Sequence, residues 1–341
     1  MKRTHIIVFS LLSSLFALAG CAKKDNVARL GEVVVYSYDS FVGDWGAAPE
    51  IKRLFEEQTG LALTFVNCGD GVQVLSRAVL EKDAVNADVV LGLDNNLAAQ
   101  AIEAGILEAY KPAGADDIID ADIKAQLGAG WELTPYDYSH FALIYDTRAG
   151  LPEPGSLEDL TNDMYRKKII LMDPRTSTPG LGFVAWTVAL FGDGYPAFWR
   201  SLKDNILTMA PGWSAGYGLF TNGEAPLVIS YATSPAANIT YDGIDYYKAL
   251  VFDEGHPLQV EGAGLLKGAP NKKGAQLFLD FLISEEAQNA LPLTQWMYPV
   301  NKAVVLPESY AQGAVTPAKT VVADAKAVQE AVQTVMDILA D

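Results

Sequence analysis

The chain has 341 residues, half of them hydrophobic and a fifth charged, which is the balance of a globular protein long enough for two domains. Its formal net charge is −17. A surface this acidic argues against nucleic acid as a partner, because it would repel the phosphate backbone, and it suits a cationic ligand.

The amino terminus predicts export. Lys2 and Arg3 precede an apolar stretch, IIVFSLLSSLFALAG (6–20), which has the length of a signal peptide and is too short for a comfortable transmembrane helix. The stretch ends in LAGC, which resembles the bacterial lipobox. We therefore predict a lipoprotein signal peptide over 1–21, lipidation of Cys21 and a polar tether over 22–31. The alternative is an ordinary signal peptide that happens to have a cysteine at its cleavage point.

This interpretation predicts a protein that lies outside the cytoplasm, in the periplasm or at the cell surface, held on the membrane by its lipid. With Cys21 lipidated, Cys68 has no partner for an intrachain disulfide. The sequence contains no cysteine–histidine spacing typical of a metal site, so no metal is expected.

Strands and helices alternate along the first part of the mature chain. Short β-branched or buried-type runs predict strands, and runs with apolar residues at helical spacing predict helices between them. This alternation indicates an α/β fold with a largely parallel sheet. The predicted strands are 32–38, 61–67 and 87–94, and two of the helices are 49–60 and 97–107.

A second α/β unit follows a long alternating strand predicted over 134–146 and extends to about residue 260. Residues 262–291 then predict a strand, a turn and an amphipathic helix, and the tail from residue 316 predicts a last helix. No Gly/Ser-rich linker separates the two units. Two lobes joined by strands favour a hinge that can close over a ligand.

The stretch DPRTSTPGLG (173–182) predicts a loop that opens a helix and offers backbone N–H groups to an anion. Thr176 and Ser177 would add hydroxyls, and Pro179 suits the first helical turn. The stretch lacks the Gly-Lys-Ser/Thr ending of a nucleotide P-loop. The alternative is an ordinary capped helix start.

Three further side chains stand out from their surroundings. Asp70 lies between two glycines after a predicted strand, at the sheet edge where open α/β folds bind ligands, although a turn aspartate would look the same. Trp45 and Trp213 have polar or turn neighbours, which favours a binding role over core packing.

A set of motifs spread over residues 33–300 carries a family resemblance. The chain resembles the bacterial extracytoplasmic solute-binding proteins of ABC importers, and within them the thiamine-binding group. The matching motifs are YSYDSFVGDWG, GDG, ADVVLGLDNN, PYDYSHFALIYD, DPRTSTPGLG, GWSAGYGLF, LVISYATSPA, EGHPLQVE and WMYPV, together with KGAPNKKGAQLFLDFLISEEAQ, which marks only the superfamily.

The resemblance implies a two-lobe type II periplasmic-binding-protein fold with hinge strands and an interlobe cleft. Lobe 1 would comprise 32–135 plus 262–341, and lobe 2 would comprise 136–261. It implies a monomer that captures thiamine, or its monophosphate or diphosphate, and delivers it to an ABC permease with a separate ATPase. Neither catalysis nor a cofactor is expected.

The ligand would need aromatic faces for its cationic ring, a carboxylate and an anion cradle. Carried over by position in the motifs, the predicted binding residues are Tyr38, Trp45, Asp70, Gly71, Thr176, Ser177, Trp213, Tyr231 and Trp296. One position departs from the family pattern. Ala237 stands where the family has a tyrosine that completes the aromatic site, which bears on affinity and on the preferred thiamine form.

Two other functions compete with this interpretation. The same fold could bind another solute, such as a polyamine or ferric ion, and Tyr246 and Tyr247 resemble the paired tyrosines of ferric-ion binders. Residues 212–216 also match the G-x-S-x-G element of serine hydrolases, with Ser214 as nucleophile and Asp242 or Asp245 and His256 following in the required order. No oxyanion motif accompanies that element.

Overall fold

The structure is a computed structural model that describes residues 31–341. The predicted signal peptide, the lipidation site at Cys21 and the tether up to residue 30 lie outside the described residues. None of the described helices combines the length and the apolarity that a membrane span requires.

Strands and helices alternate through the described chain, as expected of an α/β protein. The strands are β1 (Glu32–Ser37), β2 (Ala62–Asn67), β3 (Val89–Asp94), β4 (Leu107–Glu108), β5 (Thr134–Asp146), β6 (Ile169–Met172), β7 (Ile206–Ala210), β8 (Leu227–Tyr231), β9 (Tyr247–Ala249), β10 (His256–Leu266), β11 (Tyr298–Pro299) and β12 (Thr320–Val321).

Most helices follow directly on a strand. The helices are α1 (Asp39–Val42), α2 (Ala48–Thr59), α3 (Gly71–Leu80), α4 (Asn95–Glu103), α5 (Ala115–Ile118), α6 (Ala121–Ala125), α7 (Thr178–Phe191), α8 (Tyr195–Leu202), α9 (Trp213–Thr221), α10 (Ser234–Asp242), α11 (Lys272–Leu282), α12 (Glu285–Gln288), α13 (Glu308–Gly313) and α14 (Ala325–Ala340). Short 3-10 turns lie at 147–149, 158–161, 163–165, 192–194 and 203–205.

The described strands form one mixed sheet with the main order β2-β1-β3-β10-β5-β8-β6-β7. Strands β2, β1 and β3 pair in parallel and, with their helices, form what we call the first lobe. Strands β8, β6 and β7 also pair in parallel and form the second lobe with theirs. The long strands β5 and β10 lie between the lobes and pair with each other antiparallel.

This topology brings the carboxyl ends of the parallel strands of both lobes toward one region. In the first lobe, Tyr38 follows β1 and Asp70 follows β2. In the second lobe, Ser177 precedes α7, Gly212 precedes α9, and Tyr231 ends β8. Because ligands bind beyond the carboxyl ends of such strands, the fold predicts a site where these ends meet.

The carboxy-terminal helix α14 buries Val328, Ala331, Val335 and Ile338. This apolar face packs against α7 and α8 of the second lobe and also touches α4 of the first. The lobe boundaries at 135/136 and 261/262 remain a prediction, and α14 shows that the tail does not pack on the first lobe alone.

Candidate functional site

A cavity lies between the two lobes. Residues of the first lobe, of the second lobe and of the segment that follows α12 line it together. Six of the nine predicted binding residues are among them, namely Tyr38, Trp45, Asp70, Trp213, Tyr231 and Trp296. This convergence of residues from distant parts of the chain makes the cavity the candidate site.

Tyr38 is held in the cavity wall by close packing and by its hydroxyl. Gly92 in β3 has a φ of +99°, and a Cβ there would lie 2.2 Å from the Tyr38 ring, so only glycine fits behind the tyrosine. The Tyr38 hydroxyl donates to Glu261 Oε2 at 2.7 Å. The ring is therefore fixed before any ligand arrives.

Trp213 forms an aromatic wall on the second lobe. Its ring stacks on Tyr217 with centroids 4.9 Å apart, and its Nε1 donates to Ser230 Oγ at 2.8 Å. Trp45 of the first lobe faces it with ring centroids 6.1 Å apart. Since Trp45 is 54% exposed, this pair forms a solvent-facing edge of the site.

Tyr231 and Trp296 provide two further rings. Tyr231 stacks on Phe141 at 5.4 Å, and its hydroxyl donates to Gln259 Oε1 at 3.2 Å. Trp296 adopts a positive φ of 58° and stacks on Tyr310 at 5.9 Å. A bulky residue with positive φ is an outlier, so the loop holds this ring in place against a backbone preference.

The carboxylate of Asp70 crosses from the first lobe to the second. Its Oδ2 accepts hydrogen bonds from Ser177 Oγ and from the backbone N–H of Trp213, both at 2.9 Å. Its Oδ1 lies 3.3 Å from the backbone nitrogen of Thr178. These donors are at the starts of α7 and α9, where the helix dipoles favour a negative charge.

The remaining three predicted residues do not line the cavity. Ser177 is fully buried and its hydroxyl serves Asp70, while the Thr176 hydroxyl donates to the backbone oxygen of Pro211 at 2.7 Å. Gly71 packs against α7, because a Cβ there would lie 2.5 Å from Thr178 Cγ2. The hydroxyls and N–H groups expected to receive an anion thus meet the protein's own carboxylate.

Ten lining residues were absent from the predicted set, and Glu261 is the most consequential of them. It is 5% exposed on β10, and its Oε2 also accepts from the Tyr136 hydroxyl at 2.7 Å. It is the last residue of the motif EGHPLQVE, but only strand pairing shows which side chain of that motif faces inward. The other nine are Ser40, Thr178, Pro179, Tyr217, Ser234, Ala237, Thr294, Gln295 and Met297.

Within the described chain, the ionisable lining groups of the cavity include carboxylic acids but no bases. Asp70 and Glu261 line it, and among residues 31–341 no lysine, arginine or histidine does. Burial raises the pKa of Glu261, although hydrogen bonds from Tyr38 and Tyr136 favour its charged form. Aromatic faces beside carboxyl groups suit an organic cation.

The serine-hydrolase interpretation is wrong, because His256 cannot act as the base that it requires. His256 is buried, its Nδ1 lies 2.8 Å from the backbone oxygen of Phe141, and its Nε2 accepts from the N–H of Phe252 at 2.7 Å. Both ring nitrogens are therefore occupied by the backbone. Because neither contacts Ser214, no nucleophile–base pair exists there.

The ferric-ion alternative gains no support from the paired tyrosines. Tyr246 lies under the Arg148 guanidinium at 3.5 Å, and neither Tyr246 nor Tyr247 lines the cavity. Across residues 31–341, no group of three or more histidine, cysteine, aspartate or glutamate side chains is arranged to hold a metal ion.

Residues 85–318 match the family described as "Bacterial extracellular solute-binding protein". The chain belongs to this family. Membership agrees with the two-lobe α/β architecture and the cavity between the lobes, and it confirms the predicted fold class. This protein is thus a solute-binding component of an import system. It acts outside the cytoplasm and is not an enzyme.

Relatives within the family are similar over most of the chain. The thiamine-binding periplasmic protein of Brucella abortus biovar 1 (strain 9-941) is 40% identical over 299 residues, which cover 86% of each chain. The protein of the same description from Escherichia coli (strain K12) is 41% identical over 281 residues, covering 82% of this chain and 83% of that protein.

Solved structures show the same architecture. A periplasmic thiamin binding protein superposes with a TM-score of 0.82 at 39% identity, covering 90% of this chain and 96% of that one. A ferric binding protein from Campylobacter jejuni reaches a TM-score of 0.73 at 17% identity, which shows a shared fold alone.

Proposed function

We propose that this solute-binding protein captures thiamine, or one of its phosphate esters, and delivers it to an ABC permease powered by a separate ATPase. The observation that carries the proposal is the cavity itself, where the described lining residues place tyrosine and tryptophan rings around two carboxyl side chains and include no basic side chain. Thiamine has a cationic thiazolium and a flat aminopyrimidine, which match these walls. The thiamine-binding relatives at about 40% identity support the same ligand.

The binding residues in this proposal are the six that line the cavity together with Glu261. The aromatic rings would cover the faces of the ligand, a contact that is worth about 2 kcal/mol for a desolvated cation. Gly71 and Ser177 would act indirectly, because the Gly71 N–H and the Ser177 hydroxyl donate to the Asp70 carboxylate. Thr176 would act by bracing the loop before α7, since its hydroxyl donates to the backbone oxygen of Pro211. A phosphate ester would have to share the donors that Asp70 now occupies.

Transport itself would involve no chemistry. The lobes would close over the ligand about β5 and β10, and the closed monomer would dock on the permease. Lipidated Cys21 would hold the protein on the membrane, since LAGC has the lipobox pattern. Mass spectrometry of the mature amino terminus tests the anchor: acyl chains on Cys21 support it, and an unmodified cysteine contradicts it.

Thermal unfolding of the protein with a ligand panel tests the proposed function. A ligand that binds only the folded state at a hundredfold excess over its dissociation constant stabilises by about 2.7 kcal/mol, which raises the Tm by several degrees. We expect this shift with thiamine or its esters and none with spermidine. A shift with spermidine alone would instead support a polyamine-binding protein.

A further inference from the structure

Three carboxyl side chains form a row across the centre of the sheet. In the pairing of β3, β10 and β5, Glu261 lies opposite Asp94 on one side and opposite Asp137 on the other. Side chains at directly opposed positions share one face of the sheet. All three are buried, with Asp94 and Asp137 at 0% exposure and Glu261 at 5%.

The two outer members of the row differ in their partners. Asp94 caps α4, because its side chain accepts from the backbone N–H groups of Asn96 and Leu97 at 3.0 and 3.1 Å. Neither oxygen of Asp137 accepts a hydrogen bond from any donor in the described chain. A fully buried carboxylate without donors is costly, so Asp137 is the neutral acid as long as no positive charge lies near it.

Glu261 is the natural acceptor for the Asp137 proton. Its carboxylate accepts from the hydroxyls of Tyr38 and Tyr136 and from Gln259 Nε2 at 3.0 Å, so it is supported as an anion by neutral donors only. Burial and the adjacent charge of Glu261 raise the pKa of Asp137 well above its ordinary value. Before a cation binds, the pair thus carries one proton and one negative charge.

Within residues 31–341, no basic group faces this pair. The titratable side chains that interact with it from the surrounding elements are Tyr38, Asp70, Asp94, Tyr136, Tyr231 and Tyr310. All of these are acids or phenols. The positive charge that would let both carboxyl groups ionise together must therefore come from the ligand.

We propose that Glu261 receives the positive charge of the ligand and that Asp137, a positioning residue behind it, releases its proton to solvent when that charge arrives. The O–H bond of the Asp137 carboxyl breaks, the electron pair stays on the carboxylate, and the proton passes to the buffer. The pair then carries two negative charges against one positive charge, so the net charge of the site is unchanged. This inference rests on the proposed function, since it requires a cationic ligand.

Calorimetry of the full chain with thiamine, at pH 7 to 8 in buffers of different ionisation enthalpy, measures the protons released. We expect the apparent binding enthalpy to depend on the buffer, with a slope of up to about one proton per site. Asp137→Asn should bind thiamine with a slope that lacks this proton, because an amide at this position can donate to Glu261 but has no proton to lose. A proton exchanged by the ligand's own aminopyrimidine appears equally in both proteins.

Asp94→Asn is the matched control, because Asp94 occupies the same row and burial raises its pKa to about 7. It should keep the buffer dependence of the unchanged protein. An apparent enthalpy that is identical in all buffers, or an unchanged slope in Asp137→Asn, would overturn the inference and leave the proposed function standing. No binding of any thiamine compound would overturn both.

A second measurement does not depend on a folded variant. If binding releases a proton, the affinity of the unchanged protein for thiamine rises with pH, by up to about tenfold per pH unit between the pKa values of the bound and free pair. An affinity that is constant from pH 6 to pH 8.5 would contradict the proposal.

Discussion

The carboxylate of Asp70 in the first lobe accepts a hydrogen bond from the backbone N–H of Trp213 in the second lobe, at 2.9 Å. The contact joins the start of α3 to the start of α9, and the carboxylate also holds Ser177 beside α7. One buried side chain therefore ties two helices of the second lobe to the first. The contact between the lobes and the arrangement of the site therefore share this one carboxylate.

Replacing Asp70 by asparagine should weaken this interlobe contact. Hydrogen bonds to a charged acceptor are worth about 1.5–3 kcal/mol, against about 1 kcal/mol for a neutral one, so we expect thiamine affinity to fall about tenfold. The phosphate esters should lose less, because their phosphate can use the donors that are set free. Calorimetry with thiamine and its monophosphate measures both effects.

Asp173→Asn is the control for that substitution. Asp173 belongs to the same loop before α7, but its side chain pairs with Arg175 at 2.6 Å and does not reach the first lobe. It should bind both ligands like the unchanged protein. Equal losses for thiamine and the monophosphate in Asp70→Asn would contradict a role of Asp70 in the donor site.

Ala237 offers a gain-of-affinity test. It lines the cavity on α10, beside the cluster that contains Trp296 and Tyr310. A tyrosine there would restore the aromatic side chain that the resemblance implies, and a cation–aromatic contact is worth about 0.5–2 kcal/mol. We therefore expect Ala237→Tyr to bind thiamine about 2- to 30-fold more tightly, measured by calorimetry.

Ala237→Leu separates the aromatic face from the filled volume. It adds apolar atoms at the same position without a ring, so it should raise the affinity for thiamine less than the tyrosine does. If leucine raises the affinity as much as tyrosine, the gain comes from burial alone. A weaker affinity in Ala237→Tyr would show that the cavity has no room for the ring.

His256 should make the fold sensitive to acid. Burial lowers its pKa, and its Nε2 must stay unprotonated to accept the Phe252 N–H. The neutral ring therefore contributes stability that is present above the unfolded pKa of about 6.5 and is lost as pH falls below it. Between the unfolded pKa and the lower folded pKa, His256 is protonated only in the unfolded chain. Over that range the free energy of unfolding falls by about 1.4 kcal/mol for each pH unit.

Denaturant unfolding at pH 7.5, 6 and 5 measures this effect by comparison with His256→Gln. The comparison is necessary because buried carboxyl groups with raised pKa, such as Asp94, change stability with pH in the opposite direction. The stability advantage of histidine over glutamine should shrink as the pH falls. An advantage that is the same at all three pH values would contradict the role assigned to this ring.

Much of the architecture could be predicted from residue patterns. The alternating run TPYDYSHFALIYD is the strand β5, with the bounds that the pattern indicates. The tail was predicted as one helix from residue 316, but α14 begins at Ala325 and residues 320–321 form β12, which pairs with β10. A two-residue strand has no periodicity, so only its pairing partner reveals it.

The aromatic residues of the site could be predicted from the sequence, but its buried polar contacts could not. Aromatic residues in turn-like surroundings, such as Trp45 and Trp213, could be named because their neighbours argued against core packing. Glu261 and Asp137 lie within strands whose alternation is masked by burial on both faces, so their side-chain direction depends on pairing. The role of Ser177 could not be predicted, because the sequence does not show that its hydroxyl donates to the Asp70 carboxylate of the other lobe.

Calorimetric titration of the full chain with thiamine and, in parallel, with spermidine tests the central claim most directly. Both ligands are organic cations, but only thiamine has flat rings for the walls formed by Tyr231, Trp213 and Trp296. We predict one thiamine per chain with a dissociation constant below about 1 μM, which corresponds to about −8 kcal/mol, and no measurable heat with spermidine. Heat with spermidine and none with thiamine would contradict the account.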